Sequence, residues 1–173
     1  MLLRFYCEGR FIMGIENDKY CLIYRREYCE EELAEVAREI NQACEPLHIY
    51  ALNGSLGAGK TTLVQHLVQA YGVKDAVASP TYTYVHVYRL NQGPMLYHFD
   101  LYRMQDMRDF INAGFVEYLD DPNAMIYIEW PALILGLLGE RACLIDIEYG
   151  ETSDSRVVNV KAPRLLCKKN VDA

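Results

Sequence analysis

Residues Gly54-Ser55-Leu56-Gly57-Ala58-Gly59-Lys60-Thr61 fit the pattern G-x-x-x-x-G-K-T without interruption. The chemistry this string offers is anion capture. Glycines let successive backbone N–H groups converge on phosphate oxygens, the lysine reaches the β- and γ-phosphates, and the hydroxyl that follows suits Mg2+. Ser55, Leu56, Gly57, Ala58, Gly59, Lys60, Thr61 and Thr62 are therefore candidate nucleotide-binding residues, with Thr61 also a candidate metal ligand. A chance glycine-rich turn is the competing explanation, and the flanks argue against it. Leu47 to Leu52 is an apolar run of strand length, and Leu63, Leu67 and Val68 recur at helical spacing after the loop. The following helix would turn its positive end toward the bound anion.

Phosphate transfer also needs a carboxylate that holds Mg2+ or its water, at the end of a buried strand beside the loop. Three apolar runs stop near an acid. Met95-Leu96-Tyr97-His98-Phe99 ends at Asp100, Met125-Ile126-Tyr127-Ile128 ends at Glu129, and Leu144-Ile145 runs into Asp146 and Glu148. The last pattern alternates apolar and acidic residues, as a half-exposed antiparallel strand does, and points Asp146 at solvent. Asp100 and Glu129 sit at strand mouths, where ligand-facing acids stand in open α/β sheets. Glu129 is assigned to Mg2+, directly or through water, and Asp100 to orienting or deprotonating the attacking water. On sequence alone the two roles are interchangeable. Thr81, in Ser79-Pro80-Thr81, is a candidate switch hydroxyl facing Mg2+ or the γ-phosphate, or else part of a plain proline turn. Trp130 follows Glu129, so strand alternation points it to the opposite face, as core packing or as a wall of the nucleotide site.

The elements that must position these groups alternate along the chain. Residues 1–19 read as an ill-defined extension. Cys21 to Tyr24 is a short strand, and Glu31 to Ala43 is a helix with Leu33, Val36, Ala37 and Ile40 on one stripe. The 47–52 strand, the loop and a 60–71 helix closed near Gly72 come next. Tyr82 to Leu90 and Met95 to Phe99 flank the turn Asn91-Gln92-Gly93-Pro94 as a hairpin. Short helices follow at 108–113, 116–119 and 133–138, with a strand at 125–128 and a second hairpin at 144–148 and 157–160. The expected class is α/β: a single P-loop NTPase domain over residues 20–162, with a mainly parallel central sheet, antiparallel hairpin strands and helices on both faces. Residues 163–173 form a basic tail.

Composition narrows the function. The net charge of −7 opposes direct nucleic-acid binding, which needs a basic surface. The six cysteines lack C-x-x-C pairs and read as free thiols in a reducing compartment. The four histidines have no partner at metal-ligand spacing and read as packing or surface residues. No run approaches about 18 apolar residues, and the N-terminus lacks a signal-peptide core. The expected location is cytoplasmic, without membrane contact.

Taken in order, the 54–62 loop, Ser79-Pro80-Thr81-Tyr82-Thr83, Tyr97-His98-Phe99-Asp100-Leu101-Tyr102-Arg103 and Glu129-Trp130-Pro131 resemble the TsaE family, also called YjeE. These are small bacterial ATPases of tRNA threonylcarbamoyladenosine modification. The Tyr97–Arg103 string is the specific part, and the likeness spans about residues 21–160. The resemblance implies ATP and Mg2+ as ligands, Thr61 and Glu129 on the metal, and Asp100 essential to hydrolysis. It implies Ser79-Pro80-Thr81 as a switch loop, Trp130 near the nucleotide, and Glu30 and Arg156 on the adenine side. The implied partner is the TsaD–TsaB complex, with tRNA reached only through it. Two positions depart from the family pattern: Ser55 stands where Asp is usual, and Cys29 where a helix-capping Ser, Thr or Asp is expected.

Other readings remain. A P-loop small-molecule kinase needs an acceptor pocket and an arginine-bearing lid, for which Arg103 and Arg108 are available but no long insertion is. A guanine-nucleotide switch needs an N-K-x-D string, which is absent. A nucleotide-sensing scaffold would bind without turnover. No motif places an arginine at the γ-phosphate, so slow intrinsic hydrolysis is expected.

Overall fold

The computed structural model describes residues 5–7, 10–12, 19–73, 80, 83–89 and 93–167. In chain order the strands are β1 (Phe5–Cys7), β2 (Arg10–Ile12), β3 (Tyr20–Tyr28), β4 (Ile49–Gly54), β5 (Val85–Arg89), β6 (Met95–Asp100), β7 (Ala124–Glu129), β8 (Ala142–Tyr149) and β9 (Arg156–Pro163). The helices are α1 (Leu33–Cys44), α2 (Lys60–Gln69), α3 (Met107–Asn112), α4 (Val116–Leu119), α5 (Leu135–Leu138) and α6 (Arg164–Cys167). Among the described residues, β1 and β2 pair with each other as a separate two-stranded sheet.

Among the described residues, seven strands form one sheet in the order β3-β9-β8-β4-β7-β6-β5. The four central strands run parallel, and the pairs β3–β9, β9–β8 and β6–β5 are antiparallel. The expected α/β class, with parallel centre and antiparallel hairpins, is what the chain adopts. The parallel strands are apolar on both sides because both are covered. Along β4, Tyr50 and Leu52 face α1 and α2, whereas Ile49 and Ala51 face α3, α4 and α5. The expected stripe of α1 is buried as read, through Leu33, Val36, Ala37, Ile40 and Cys44.

The first sheet strand is longer than expected. Arg25, Arg26 and Glu27 break the apolar pattern, yet β3 runs on to Tyr28 because it is an edge strand with an open face. The missing cap hydroxyl at Cys29 is compensated: its backbone N–H donates to Glu32 Oε2 at 2.9 Å, closing the turn that leads into α1. The free-thiol reading needs correction at two positions. Cys21 on β3 and Cys167 on α6 are joined, with Cα atoms 6.9 Å apart. α6 folds back onto β3, where Arg164 N–H donates to Lys19 O at 2.8 Å, so the two meet although 146 residues separate them. Cys29, Cys44 and Cys143 are free.

Candidate functional site

The loop between β4 and α2 is set by glycines that cannot be replaced without cost. Gly54 has φ +155°, and a Cβ there would lie 2.6 Å from Ile147 O. Gly59 has φ +97° and caps α2, a conformation that side-chain-bearing residues rarely adopt. Lys60 follows, only 4% exposed, its Nζ 2.8 Å from Gly54 O, 2.9 Å from Ser55 O and 3.7 Å from the centroid of the Trp130 ring. The lysine therefore lies along the loop that its charge is to serve.

Sheet register brings the two strand-end acids to this loop. Asp100 and Glu129 are direct partners across β6 and β7, and Glu129 is also the partner of Leu52 on β4. Side-chain alternation puts both acids on the α2 face, with Leu96 and Tyr127 beneath them. Thr61 Oγ1, at the start of α2, lies 2.8 and 3.0 Å from the two Glu129 carboxylate oxygens and donates to them. Asp100 Oδ1 accepts the Tyr102 N–H at 3.0 Å. Both acids are nearly buried, at 6% and 2% exposed.

A cavity of about 380 Å³ joins these groups, within the range of small-molecule sites. Its walls are Leu56, Gly57, Gly59, Lys60, Thr61, Thr62, Asp100, Tyr102, Arg103, Glu129 and Trp130. A smaller cavity on the other flank of the loop is lined by Tyr28, Glu30, Leu33, Gly57, Ala58, Gly59, Thr62, Asp154 and Arg156. Burial pushes the Tyr28 hydroxyl up to about 12, so this wall presents a neutral phenol at physiological pH. Arg156 packs over the Tyr149 ring at 4.4 Å, and Tyr149 in turn donates to Leu56 O at 3.3 Å.

The donor set at the larger cavity is all oxygen. Among the described residues no three His, Cys, Asp or Glu side chains gather into a closed metal cage. One hydroxyl and one carboxylate therefore meet at the mouth of a phosphate loop. That set fits Mg2+, which takes few protein ligands and completes its shell with phosphate and water oxygens.

A sequence model of the family described as threonylcarbamoyl adenosine biosynthesis protein TsaE matches residues 28–158. This chain belongs to the TsaE family. It is 39% identical over 122 residues to the tRNA threonylcarbamoyladenosine biosynthesis protein TsaE of Haemophilus influenzae, covering 70% of this chain and 75% of that protein. To the TsaE protein of Rickettsia typhi it is 33% identical over 138 residues, covering 79% and 93%. The crystal structure of Bacillus subtilis YdiB superposes with a TM-score of 0.64 at 25% identity, over 86% of this chain and 95% of that one.

Within this TsaE-family chain the structure gathers Leu56, Gly57, Gly59, Lys60, Thr61, Thr62, Asp100, Glu129 and Trp130 around one cavity, and Glu30, Ala58 and Arg156 around the other. Ser55 supplies a loop carbonyl to Lys60. Thr81 lies outside the described residues, as do Ser79 and Tyr82; Pro80 O accepts the N–H groups of Thr83 and Tyr84 in the turn that opens β5.

One side chain stands elsewhere than expected, and two have partners that the sequence does not show. Trp130 does not simply point away from the Glu129 face. Its φ of +58° and ψ of +52° break the alternation and bring the ring over Lys60 while its edge still packs on the second core. Asp146 is part-exposed on the alternating strand β8, as expected, and accepts from Lys161 at 2.7 Å and Asn53 at 3.3 Å, on the sheet face opposite Thr61. His98 is more than packing, because its Nε2 lies 2.8 Å from Glu129 Oε1. Tyr28, Leu33 and Asp154 also line the cavities without a sequence signal that assigns them there, Tyr102 does so from within the Tyr97–Arg103 string, and Arg103 stands at the site rather than on a lid.

Proposed function

We propose that residues 20–162 form a Mg2+-dependent ATP hydrolase of the cytoplasm that serves tRNA N6-threonylcarbamoyladenosine modification. In this reading it binds the TsaD–TsaB complex, drives that complex's cycle through ATP binding and hydrolysis, and meets tRNA only through it. The observation that carries the reading is the meeting of Thr61, Glu129 and Asp100 at the mouth of the phosphate loop.

The loop N–H groups of residues 55–60 and the Lys60 ammonium take the β- and γ-phosphates of ATP, and the start of α2 adds a favourable dipole. The smaller cavity, with Tyr28, Glu30 and Arg156, takes the adenosine end. Thr61 and Glu129 would hold Mg2+, which supplies charge neutralisation at the β- and γ-phosphate oxygens. Asp100, held by the Tyr102 N–H, orients a water and accepts its proton as the water oxygen bonds to the γ-phosphorus. The bond to the β–γ bridging oxygen breaks, giving ADP and phosphate. Trp130 walls the phosphates beside Lys60.

Arg103 stands exposed on the turn after β6, at the cavity wall. Its placement against the phosphates falls to partner contact, so turnover by the isolated chain is slow. The test is phosphate release from ATP with and without TsaD and TsaB. Release that needs Mg2+ and rises with the partners is expected. Transfer of the phosphate to a small metabolite would instead support a kinase.

A further inference from the structure

His98 occupies the middle of β6, fully buried, two residues before Asp100 on the same face. Its Nε2 lies 2.8 Å from Glu129 Oε1. Its Nδ1 is buried and has no hydrogen-bond partner among the described residues. An imidazole in this position is a poor choice for packing alone, because one of its two nitrogens loses water and gains nothing. An apolar side chain would fill the same space without that loss. What the imidazole supplies, and an apolar residue cannot, is a single N–H aimed at Glu129. That contact selects the tautomer with hydrogen on Nε2.

Glu129 is thereby held from two sides. Thr61 donates from α2 above the sheet, and His98 donates from the neighbouring strand within it. Thr61 is itself a metal ligand in the reading given above, so its hydroxyl proton cannot be relied on to fix the carboxylate. His98 comes from a strand hydrogen-bonded on both sides, between β5 and β7. We propose that His98 is a positioning residue: its Nε2–H fixes the Glu129 carboxylate so that one oxygen remains directed at the Thr61 hydroxyl, and this sets the Mg2+-dependent part of nucleotide binding. The proposal rests on the nucleotide-site reading. Donors behind a ligating carboxylate typically govern metal affinity by about 10–100-fold.

Trp130, the sole tryptophan, lies 3.7 Å from Lys60 Nζ, so its fluorescence reports on the phosphate site without any turnover. The experiment titrates Mg2+ at fixed ATP, and ATP in EDTA, on wild-type protein, His98→Asn and His98→Gln. The Gln amide nitrogen reaches the place of Nε2, whereas the Asn amide is too short. His98→Asn is expected to raise the Mg2+ concentration at half-response by about tenfold or more, with ATP affinity in EDTA unchanged and His98→Gln close to wild type. Equal behaviour of the two variants, or a wild-type Mg2+ response in both, overturns the proposal.

Should His98→Asn not fold, the wild-type protein decides. The imidazole 15N resonances of His98 are expected to move when Mg2+ is added to the ATP-bound protein and to stay in place when ATP is added in EDTA. Resonances that Mg2+ leaves unmoved overturn the proposal. A wild-type protein whose Trp130 answers to ATP under neither condition contradicts the nucleotide site itself, and the role of His98 falls with it.

Discussion

Glu129 stands where three elements converge: β7 carries it, α2 sets Thr61 against it, and β6 sets Asp100 beside it. The acids could be found in the sequence because each ends an apolar run, and a strand that stops at a carboxylate stops at a mouth. Trp130 could not be placed, since its positive φ is a local strain that no alternation rule contains. The partners of His98 and Asp146, Glu129 and Lys161, are not legible in the sequence, because they become neighbours only once the strands are ordered. Two predictions belong at this scale. Lys60→Ala removes the charge-assisted contacts to phosphate and is expected to weaken ATP binding by at least about tenfold, given about 1.5–3 kcal/mol per such hydrogen bond; Trp130 fluorescence measures it. Gly54→Ala forces a Cβ against Ile147 O and is expected to destabilise the fold by about 1–3 kcal/mol in chemical denaturation, as overpacking does.

The elements were more legible than their neighbours. The amphipathic stripe of α1, the loop-helix junction and both hairpins follow from periodicity and turn residues, whereas β3 was cut short by its own charges. Those charges have a purpose in the packing of α1. Arg26 reaches Glu32 at 2.7 Å, Glu35 at 3.0 Å and Glu39 at 3.0 Å. The Cys29 N–H and then Arg26 hold the Glu32 carboxyl below its ordinary 4.5, and the Tyr24 hydroxyl and then Arg26 do the same for Glu39. Carboxyls depressed in the folded state stabilise it fully above 4.5 and lose that contribution as pH falls through their lowered values. Arg26→Met is therefore expected to lower the thermal midpoint modestly at pH 7, because the pairs are solvent-exposed. The gap from wild type should close as the pH is taken below 4.5. On the buried side, Leu67 of α2 packs fully into the core against the sheet. Leu67→Ala is expected to cost about 2–5 kcal/mol in urea unfolding, with a lesser effect on the chemistry of the loop than Lys60→Ala.

At the scale of the molecule, the sheet order sets the loop after β4 beside the ends of β6 and β7, at one end of the parallel strands. The chain carries a net charge of −7, and no helix among the described residues is long and apolar enough to cross a membrane. The joined Cys21 and Cys167 tie α6 to β3, a contact that cysteine spacing could not announce because nothing in the chain foretells that α6 returns to the first sheet strand. The family was legible in four short strings, three of which contribute residues to the larger cavity. In the proposed function, hydrolysis turns on Asp100. The deciding measurement is phosphate release from ATP with Mg2+, TsaD and TsaB, comparing wild type with Asp100→Asn and checking ATP binding by Trp130 fluorescence. The expected result is intact binding with hydrolysis reduced by about 10²–10⁴, the usual worth of a positioned base. Hydrolysis by Asp100→Asn at the wild-type rate would contradict the account.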